Sequence, residues 1–309
     1  MKEDSVADNS QENIVGAIDW GGTKLLVGLV NNKGEILASR KLATPSSTPE
    51  SILETAAHLL DECIVEEGLG KEAISSVGVT VPGPVDMASG LLKFAPAHAF
   101  RDVPVAGILS HLSGKTVKVI NDVNACALAE QHFGVAKGIR DFLWVTVSTG
   151  IGGALVLNGS LYYGSDGLAG EIGHIVVDER GPLCGCGNRG CLEMMASGSA
   201  IARMASEQGL SAQDAAEVAR LAFRGNPLAV GIMHRAHQAL ANGIAATINV
   251  INPSLVVFGG GVSESLDLAL IESLARKSTF TSKGRFPNQA KTALGMQAAL
   301  IGAASLCFN

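Results

Sequence analysis

Four residues between positions 174 and 191 form a set of side chains suited to binding a metal ion. They are three cysteines within eight residues and a histidine ten positions earlier: His174, Cys184, Cys186 and Cys191. One imidazole and three thiolates make the closed tetrahedral ligand set of a structural Zn²⁺ site, with no position left for a catalytic water. A disulfide or a group of buried thiols is the alternative, but nothing else in the chain resembles a secreted protein.

Glycines and glutamates surround these ligands and extend the chemistry of the segment. Gly185, Gly187 and Gly190 allow the tight backbone turns that bring neighbouring sulfurs toward one ion. Glu171 and Glu193 flank the metal ligands and are not needed to complete the set of four. We therefore expect both carboxylates to bind a substrate.

Two glycine-rich turns, each between apolar runs, have the composition of phosphate-binding loops. Their backbone N–H groups can face a nucleotide, because a Cβ would block such a close approach. No P-loop motif is present. Thr23 is expected to hydrogen-bond a phosphate and Asp19 to hold Mg²⁺, directly or through water; an ordinary hairpin turn is the alternative for the first segment. The predicted phosphate-site residues are Asp19, Gly21, Gly22, Thr23 and Lys24 in the first turn and Thr149, Gly150, Gly152 and Gly153 in the second.

The pair Asn121 and Asp122 lies where an apolar strand gives way to a helix. Ligand-binding groups of α/β sheets commonly lie at such junctions. A carboxylate here can accept the proton of a hydroxyl while its oxygen attacks a γ-phosphate, a reaction that depends on positioning and charge neutralisation. The alternative is a helix cap, a common use of both residue types that would not exclude catalysis.

The hydrophobic pattern indicates which elements must hold these side chains. Short apolar runs alternate with stretches of helical periodicity, the pattern of an α/β protein with mixed sheets. The predicted strands cover residues 14–18, 25–30, 35–43, 77–81, 117–120, 142–147, 154–157 and 255–258. The predicted helices cover residues 49–67, 121–134, 234–251 and 293–306.

The strand–turn–strand arrangement occurs twice, about 130 residues apart, which predicts an internally duplicated fold. We expect two lobes with a ligand cleft between them. The smaller lobe is predicted to comprise residues 1–120, completed by residues 292–309. The larger lobe is predicted to comprise residues 121–291 and to carry the zinc ligands.

The bulk composition of the 309-residue chain excludes several classes of protein. A net charge of −6 and a pI near 5.7 argue against broad nucleic-acid binding, which requires a basic face. No apolar run is long enough to cross a bilayer, and the N-terminus lacks the pattern of a signal peptide. We expect a cytoplasmic protein that binds neither nucleic acid nor membrane.

The motifs together resemble those of the ROK family, which comprises bacterial sugar kinases and sugar-responsive repressors. Nearly the whole chain from Ile14 onward takes part in the resemblance. The matching segments are DWGGTK at 19–24, VPGPVD at 81–86, NDVNA at 121–125, EIGH at 171–174 and CGCGNRGCLE at 184–193. The resemblance implies the actin-like ATPase (ribonuclease H-like) fold, ATP-dependent phosphorylation of a hexose with Mg²⁺, a structural Zn²⁺ and a homodimer.

The resemblance also implies a role for each candidate residue. Asp122 is the expected general base. His174 is expected to bind zinc through one ring nitrogen and sugar through the other, so that zinc fixes its orientation. The expected sugar-binding residues are Gly83, Asn121, Asp122, Glu171, His174 and Glu193. Gly150, Gly152 and Gly153 are expected at the phosphates, and Gly259, Gly260 and Gly261 near the adenosine.

Several functional alternatives remain open at this point. The 6-hydroxyl of glucose is the first candidate acceptor, followed by N-acetylmannosamine, N-acetylglucosamine, allose and fructose. The loop at 95–100, which includes His98, is a candidate determinant of sugar choice. A sugar-sensing regulator without turnover is the main alternative; the thirteen residues before Ile14 are too few for the DNA-binding domain of the family's repressors. A filament-forming or chaperone ATPase would leave the zinc ligands unexplained.

Overall fold

The structure is a computed structural model that describes residues 13–45, 47–95, 99–280 and 285–308. Residues 96–98, the part of the candidate sugar loop that includes His98, lie outside the described residues. No described helix is both long and apolar enough to cross a membrane.

The described chain alternates strands with helices. The strands are β1 (Ile14–Trp20), β2 (Lys24–Asn31), β3 (Ile36–Ala43), β4 (Ile74–Val81), β5 (Val85–Asp86), β6 (Leu91–Ala95), β7 (Phe100–Val103), β8 (Thr116–Asn121), β9 (Phe142–Val147), β10 (Ile151–Leu157), β11 (Ser160–Tyr162), β12 (Leu255–Gly259) and β13 (Asn288–Lys291). The helices are α1 (Pro49–Glu66), α2 (Val105–Ser113), α3 (Asp122–Phe133), α4 (Leu192–Ala196), α5 (Gly198–Glu207), α6 (Ala215–Phe223), α7 (Pro227–Ile251), α8 (Leu268–Ala275) and α9 (Ala298–Ser305).

Backbone contacts divide the chain into two compact units. The first contains the described residues up to Asp122 together with those from Leu300 onward, and the second is Val123–Ala299. The predicted lobes, with boundaries at residues 120 and 291, stay a prediction.

The first unit is built on a five-stranded sheet in the order β3-β2-β1-β4-β8. The three strands β1, β2 and β3 form an antiparallel meander, whereas β4 and β8 run parallel to β1. Strand β1 is buried along nearly its whole length because one face of the sheet packs on α1 and the other on α9. Both faces of the sheet therefore lie in hydrophobic core.

The second unit repeats this sheet in the order β11-β10-β9-β12-β13. Strands β9, β10 and β11 are antiparallel, and β12 and β13 run parallel to β9. The two sheets thus share strand order and direction, which confirms the predicted duplication. A large aliphatic core that includes α5, α6, α7 and α8 covers one face of this sheet, and a smaller cluster that includes Ala127 and Phe142 covers the other.

Two helices begin at different residues from those predicted. Helix α7 starts at Pro227, well before the predicted residue 234, because the Asn226 side chain caps the N–H groups of Leu228 and Ala229. Helix α9 starts at Ala298 and not at residue 293. Other bonds hold the preceding segment, since the Ala293 and Leu294 N–H groups donate to the buried Glu130 carboxylate. 

The second glycine-rich turn is shorter than predicted. Strand β10 begins at Ile151, so Gly152 and Gly153 lie within a strand and not in the turn. A Cβ at Gly153 would come within 2.7 Å of the Gly170 carbonyl oxygen, and one at Gly152 within 2.8 Å of the Val123 side chain. Close packing inside the second unit therefore accounts for both glycines.

Candidate functional site

The carboxyl ends of the parallel strands β1, β4 and β8 lie side by side in the first unit. Asp19 is paired with Thr80 in the register of β1 and β4, and Val81 with Asn121 in the register of β4 and β8. Asp122 follows directly as the first residue of α3. Tertiary structure thus brings the first glycine-rich turn and the Asn121–Asp122 pair to one edge of one sheet, where ligands of α/β proteins usually bind.

Asp19 is a nearly buried carboxylate, 3% exposed, at this edge. Its Oδ1 accepts a hydrogen bond from the Thr80 hydroxyl at 2.9 Å, and its Oδ2 lies 3.2 Å from Lys24 Nζ. The Gly21 N–H donates to the Lys24 carbonyl at 2.9 Å, and the Thr44 hydroxyl donates to the Gly21 carbonyl. These bonds hold the turn closed.

The middle of the first turn faces solvent. Gly22 and Thr23 are both exposed, so the N–H groups and hydroxyl predicted to bind phosphate lie on the surface of the first unit. Asp19 and Lys24 are predicted residues of this site, whereas Thr80 is not. A signal was present, because both Asp19 and Thr80 are the second-to-last residues of adjacent apolar strands.

The Asn121 amide organises the other half of this edge. Its Nδ2 donates to Asp122 Oδ1 at 3.0 Å and to the Gly83 carbonyl oxygen at 3.3 Å. Gly83 has a structural reason to be glycine, since a Cβ there would lie 2.0 Å from the Phe94 carbonyl oxygen. The first unit therefore brings together three of the predicted sugar-binding residues, with the Asp122 carboxylate at the N-terminus of α3, where a helix favours negative charge.

Glu193 has an unpredicted contact with the second phosphate turn. Its Oε2 accepts the Ile151 N–H at 2.9 Å, and a Cβ at Gly150 would lie 2.3 Å from the same oxygen. The Ser148 N–H closes the turn by donating to the Gly150 carbonyl. Thr149 is exposed beside it. One carboxylate oxygen of Glu193 thus supports the turn predicted to bind phosphate.

The three glycines at 259–261 have different environments. A Cβ at Gly259 would overlap the Trp144 ring at 2.2 Å, and one at Gly260, where φ is +87°, would lie 2.5 Å from the Val147 carbonyl oxygen. A Cβ at Gly261 would meet no atom within 4 Å. Packing of the second unit explains the first two glycines, and only Gly261 has open space beside it.

The structure brings the four predicted zinc ligands together in the second unit. Their ligand atoms all lie within 4.8 Å of one another. Cys184 Sγ is 3.6 Å from His174 Nδ1, and Cys186 Sγ is 3.6 Å from Cys191 Sγ. Two sulfurs bound tetrahedrally at about 2.3 Å from one zinc ion lie about 3.8 Å apart. The donor set and its spacing fit Zn²⁺.

Backbone hydrogen bonds connect distant parts of this zinc-ligand loop, residues 174–191. The Cys184 N–H donates to the Asn188 carbonyl at 2.7 Å, and the Gly190 N–H donates to the Pro182 carbonyl at 2.8 Å. Gly187 and Gly190 have positive φ, as expected for tight turns. Gly185 does not, and a Cβ there would meet open space, so the predicted need for glycine at 185 is wrong.

The two closest sulfurs differ in acidity. The backbone N–H of Asn188 lowers the pKa of the Cys186 thiol to about 7, whereas burial raises the pKa of the Cys191 thiol to about 12. The exposed Cys186 sulfur therefore becomes a thiolate, the form that binds metals, at a lower pH than the Cys191 sulfur.

The zinc-ligand loop connects two elements that carry predicted substrate-binding residues. His174 ends a short 3₁₀ helix, Ile172–His174, that follows the exposed Glu171. Cys191 directly precedes α4, which carries Glu193 in its first turn, and the Leu192 N–H donates to the Ile175 carbonyl at 2.8 Å. The loop therefore fixes the spacing between Glu171, His174 and Glu193.

Comparison with known proteins agrees with the fold and with these motifs. The model of the ROK family matches residues 15–309. This chain belongs to the ROK family. A curated ROK relative, the glucokinase of Thermotoga maritima, is 36% identical over 263 residues, which cover 80% of this chain and 82% of the relative.

Two further relatives differ in their substrates. The N-acetylmannosamine kinase of Citrobacter koseri is 37% identical over 252 residues, which cover 80% of this chain and 82% of the relative. The structure of a ROK glucokinase from Streptomyces griseus in complex with glucose and AMPPNP is 32% identical, with a TM-score of 0.80, and the match covers 96% of this chain and 98% of that one. The predicted family and the predicted actin-like ATPase fold are both confirmed.

Proposed function

We propose that this ROK protein is an ATP-dependent hexose kinase that transfers the γ-phosphate of ATP to a sugar hydroxyl. The observation that carries the proposal is the Asn121–Asp122 pair at the carboxyl edge of the first sheet, with the amide of one bonded to the carboxylate of the other. Relatives of this chain include a glucokinase of 36% identity and a glucokinase whose structure holds glucose and an ATP analogue. Glucose, through its 6-hydroxyl, is the first candidate acceptor.

Asp122 is the proposed general base. Its carboxylate accepts the proton of the sugar hydroxyl as that oxygen attacks phosphorus, and the Asn121 amide keeps the carboxylate oriented for this transfer. Phosphoryl transfer needs little covalent participation from the protein, so accurate placement of this one group has a large effect.

The remaining candidate residues are proposed to contact the hexose, the phosphates or the nucleotide. Gly83, Asn121, Glu171, His174 and Glu193 are proposed to hydrogen-bond the hexose. The Asp19–Lys24 turn, Thr149 and Gly150 are proposed to contact phosphates, and Gly261 leaves space for the nucleotide. Gly152, Gly153, Gly259 and Gly260 support those turns through their close packing.

Asp19 fits a role toward Mg²⁺. Magnesium in kinases is usually held by one or two carboxylates, water and substrate phosphates. Asp19 offers one carboxylate oxygen to which no described group donates a hydrogen bond. Bound with the nucleotide, the cation would neutralise phosphate charge.

The four ligands His174, Cys184, Cys186 and Cys191 are proposed to bind a structural zinc ion. All four are protein side chains, so a tetrahedral ion would have no open position and would act as a cross-link. Such a cross-link would hold Glu171, His174 and Glu193 in place. Metal analysis of the purified protein should find about one zinc per chain, and Cys184→Ser should remove the zinc and lower both thermal stability and turnover.

The proposed reaction is tested by ADP release with Mg-ATP against a panel of sugars. The panel contains glucose, fructose, allose, N-acetylglucosamine and N-acetylmannosamine, the last because a relative of 37% identity is named for it. Strong turnover of one sugar would establish the kinase and its acceptor. Sugar binding by calorimetry without turnover of any panel member would contradict the proposal and favour a sugar-sensing regulator.

Asp122→Asn tests the role of the base. The amide is close in size to the carboxylate but cannot accept the proton, so turnover should fall by about 10²–10⁴-fold while hexose affinity and melting temperature stay near wild type. Asp86→Asn is a control at a half-buried carboxylate of the same unit, at the end of β5, and should retain full turnover. Undiminished turnover of Asp122→Asn would exclude Asp122 as the base.

The homodimer implied by the family resemblance is also a proposal. Light scattering coupled to size-exclusion chromatography, run across a range of protein concentrations, would give the mass directly. A mass near the 31.7 kDa of one chain at all concentrations would contradict it.

A further inference from the structure

Thr80 has a contact that the proposed roles above do not explain. It is fully buried on β4, and its hydroxyl donates to Asp19 Oδ1 at 2.9 Å across the parallel pair of strands. A fully apolar side chain would pack at this position without a buried hydroxyl. We therefore attribute the buried hydroxyl to its bond with Asp19, the carboxylate proposed to act toward Mg²⁺.

The two oxygens of Asp19 are not equally satisfied. Oδ1 has the Thr80 hydroxyl, whereas Oδ2 is buried and receives no hydrogen bond from any described residue. Lys24 Nζ lies 3.2 Å from Oδ2, but without the geometry of a hydrogen bond. A buried carboxylate oxygen without a hydrogen-bond donor is costly, and a bound cation would satisfy it.

We propose that Thr80 is a positioning residue that fixes the Asp19 carboxylate with Oδ2 presented to the divalent cation of the metal–nucleotide complex. Lys24 is the counter-charge of that oxygen when no cation is bound. The inference rests on the proposed kinase function. Thr80 lies outside the motifs shared with the family, whereas Asp19, the residue that it orients, lies within one.

Thr80 and Lys24 constrain the two oxygens of Asp19 to different degrees. Thr80 is β-branched on a buried strand, so its χ1 is restricted and its hydroxyl has a defined direction. With Oδ1 bound to that hydroxyl, rotation of the carboxylate is opposed. Lys24 is 26% exposed and has a flexible side chain, so it can leave Oδ2 without disturbing the sheet.

The test is metal–nucleotide binding, which does not depend on identification of the sugar. Titration calorimetry of Mn²⁺–ADP, with ADP in EDTA as the metal-free reference, would be measured for wild type, Thr80→Val and Thr80→Ser. Valine keeps the branched shape and strand preference but removes the hydroxyl, and serine restores the hydroxyl. Melting temperatures would show that each variant is folded.

We expect Thr80→Val to weaken Mn²⁺–ADP binding about tenfold, the loss of one hydrogen bond to a charged group. Binding of ADP in EDTA should be unchanged, and Thr80→Ser should bind Mn²⁺–ADP like wild type. In an Asp19→Asn background, Thr80→Val should cause little further loss, because the carboxylate that Thr80 orients is then absent.

Different results would separate the two proposals. Equal Mn²⁺–ADP affinity in wild type and Thr80→Val would overturn the role of Thr80 while the kinase proposal stands. An equal loss of affinity with and without metal would also overturn it, since that pattern indicates general damage to the turn. Failure of wild type to bind Mn²⁺–ADP at all would overturn the kinase proposal, and this inference with it.

Discussion

Two buried carboxylates, Glu130 and Asp19, differ in how completely their oxygens are hydrogen-bonded. Glu130 is fully buried, and both of its oxygens are occupied: Oε1 by the Thr292 hydroxyl and two backbone N–H groups, and Oε2 by the Val135 N–H. Asp19 is buried to almost the same degree, but its Oδ1 has one hydrogen bond and its Oδ2 has only the ion pair with Lys24. Full satisfaction indicates a structural role, and the unsatisfied oxygen indicates a ligand.

A buried histidine makes stability depend on pH. His237 lies in α7, and its Nε2 accepts the Asp267 N–H at 3.1 Å. Burial lowers its pKa, opposed by nearby Asp267, and exposed His234 adds a further lowering. Because the unfolded chain takes up this proton at a higher pH than the folded protein, the contribution to stability is complete above about pH 6.5 and is lost as the pH falls below it.

His237→Gln should therefore reduce the loss of unfolding free energy between pH 7 and pH 5. Glutamine keeps an acceptor for the Asp267 N–H but does not titrate in this range. Urea unfolding at several pH values measures the difference, and His111→Gln, at an exposed histidine of α2, is the control. A slope in His237→Gln equal to that of wild type would show that His237 is not responsible.

At the scale of elements, the zinc-ligand loop depends on glycine at one position and not at another. Gly190 has φ +66°, and a Cβ there would lie 1.5 Å from the Asp178 carbonyl oxygen. Gly185 has no positive φ and no atom within 4 Å of a Cβ. The two residues lie in the same loop, each next to a cysteine ligand, so they form a matched pair.

Gly190→Ala should lower the free energy of unfolding by roughly 2–4 kcal/mol. The added Cβ would force the backbone to move at the Gly190 carbonyl, which accepts hydrogen bonds from the Val177 and Asp178 N–H groups. Zinc content should fall with it, since Cys191 is the next residue. Gly185→Ala should leave both properties near wild type. Thermal unfolding and metal analysis of the two purified variants test this, and similar results for both would show that the loop tolerates a Cβ at 190.

At the scale of the whole molecule, the chain is not divided into units in sequence order. Helix α9 follows the second unit along the chain, yet Leu300, Ala303 and Ala304 pack fully buried against β1 and β2 of the first unit. A Cβ at Gly78 on β4 would lie 1.8 Å from the Ala303 carbonyl oxygen. The first sheet therefore accepts the last helix at a distance that only glycine allows.

Gly78→Ala should push α9 away from the sheet and destabilise the protein by about 1–3 kcal/mol. The control is Gly107→Ala in α2, where a Cβ meets no atom within 4 Å and alanine favours the helix. Scanning calorimetry should show a lower unfolding temperature for Gly78→Ala alone. An unchanged temperature for that variant would mean that α9 shifts without cost.

The sequence by itself determined the features that depend on neighbouring residues. The strand at Phe142–Val147 was predicted to the residue because a continuous apolar run ends at a polar turn. The cluster of His174, Cys184, Cys186 and Cys191 was predictable because their separation along the chain is short. The duplication followed from two similar local patterns, and the family followed from motifs that are each contiguous.

Tertiary structure alone decided the features that depend on sheet register and on packing between distant segments. The Thr80–Asp19 bond joins residues 61 positions apart, and the contact of Glu193 with Ile151 joins residues 42 apart. Edge strands such as β13 carry polar residues and have no apolar signal. Burial against a remote partner, and not local preference, makes Gly78, Gly153 and Gly259 obligatory, because a Cβ at each would overlap atoms from another part of the chain.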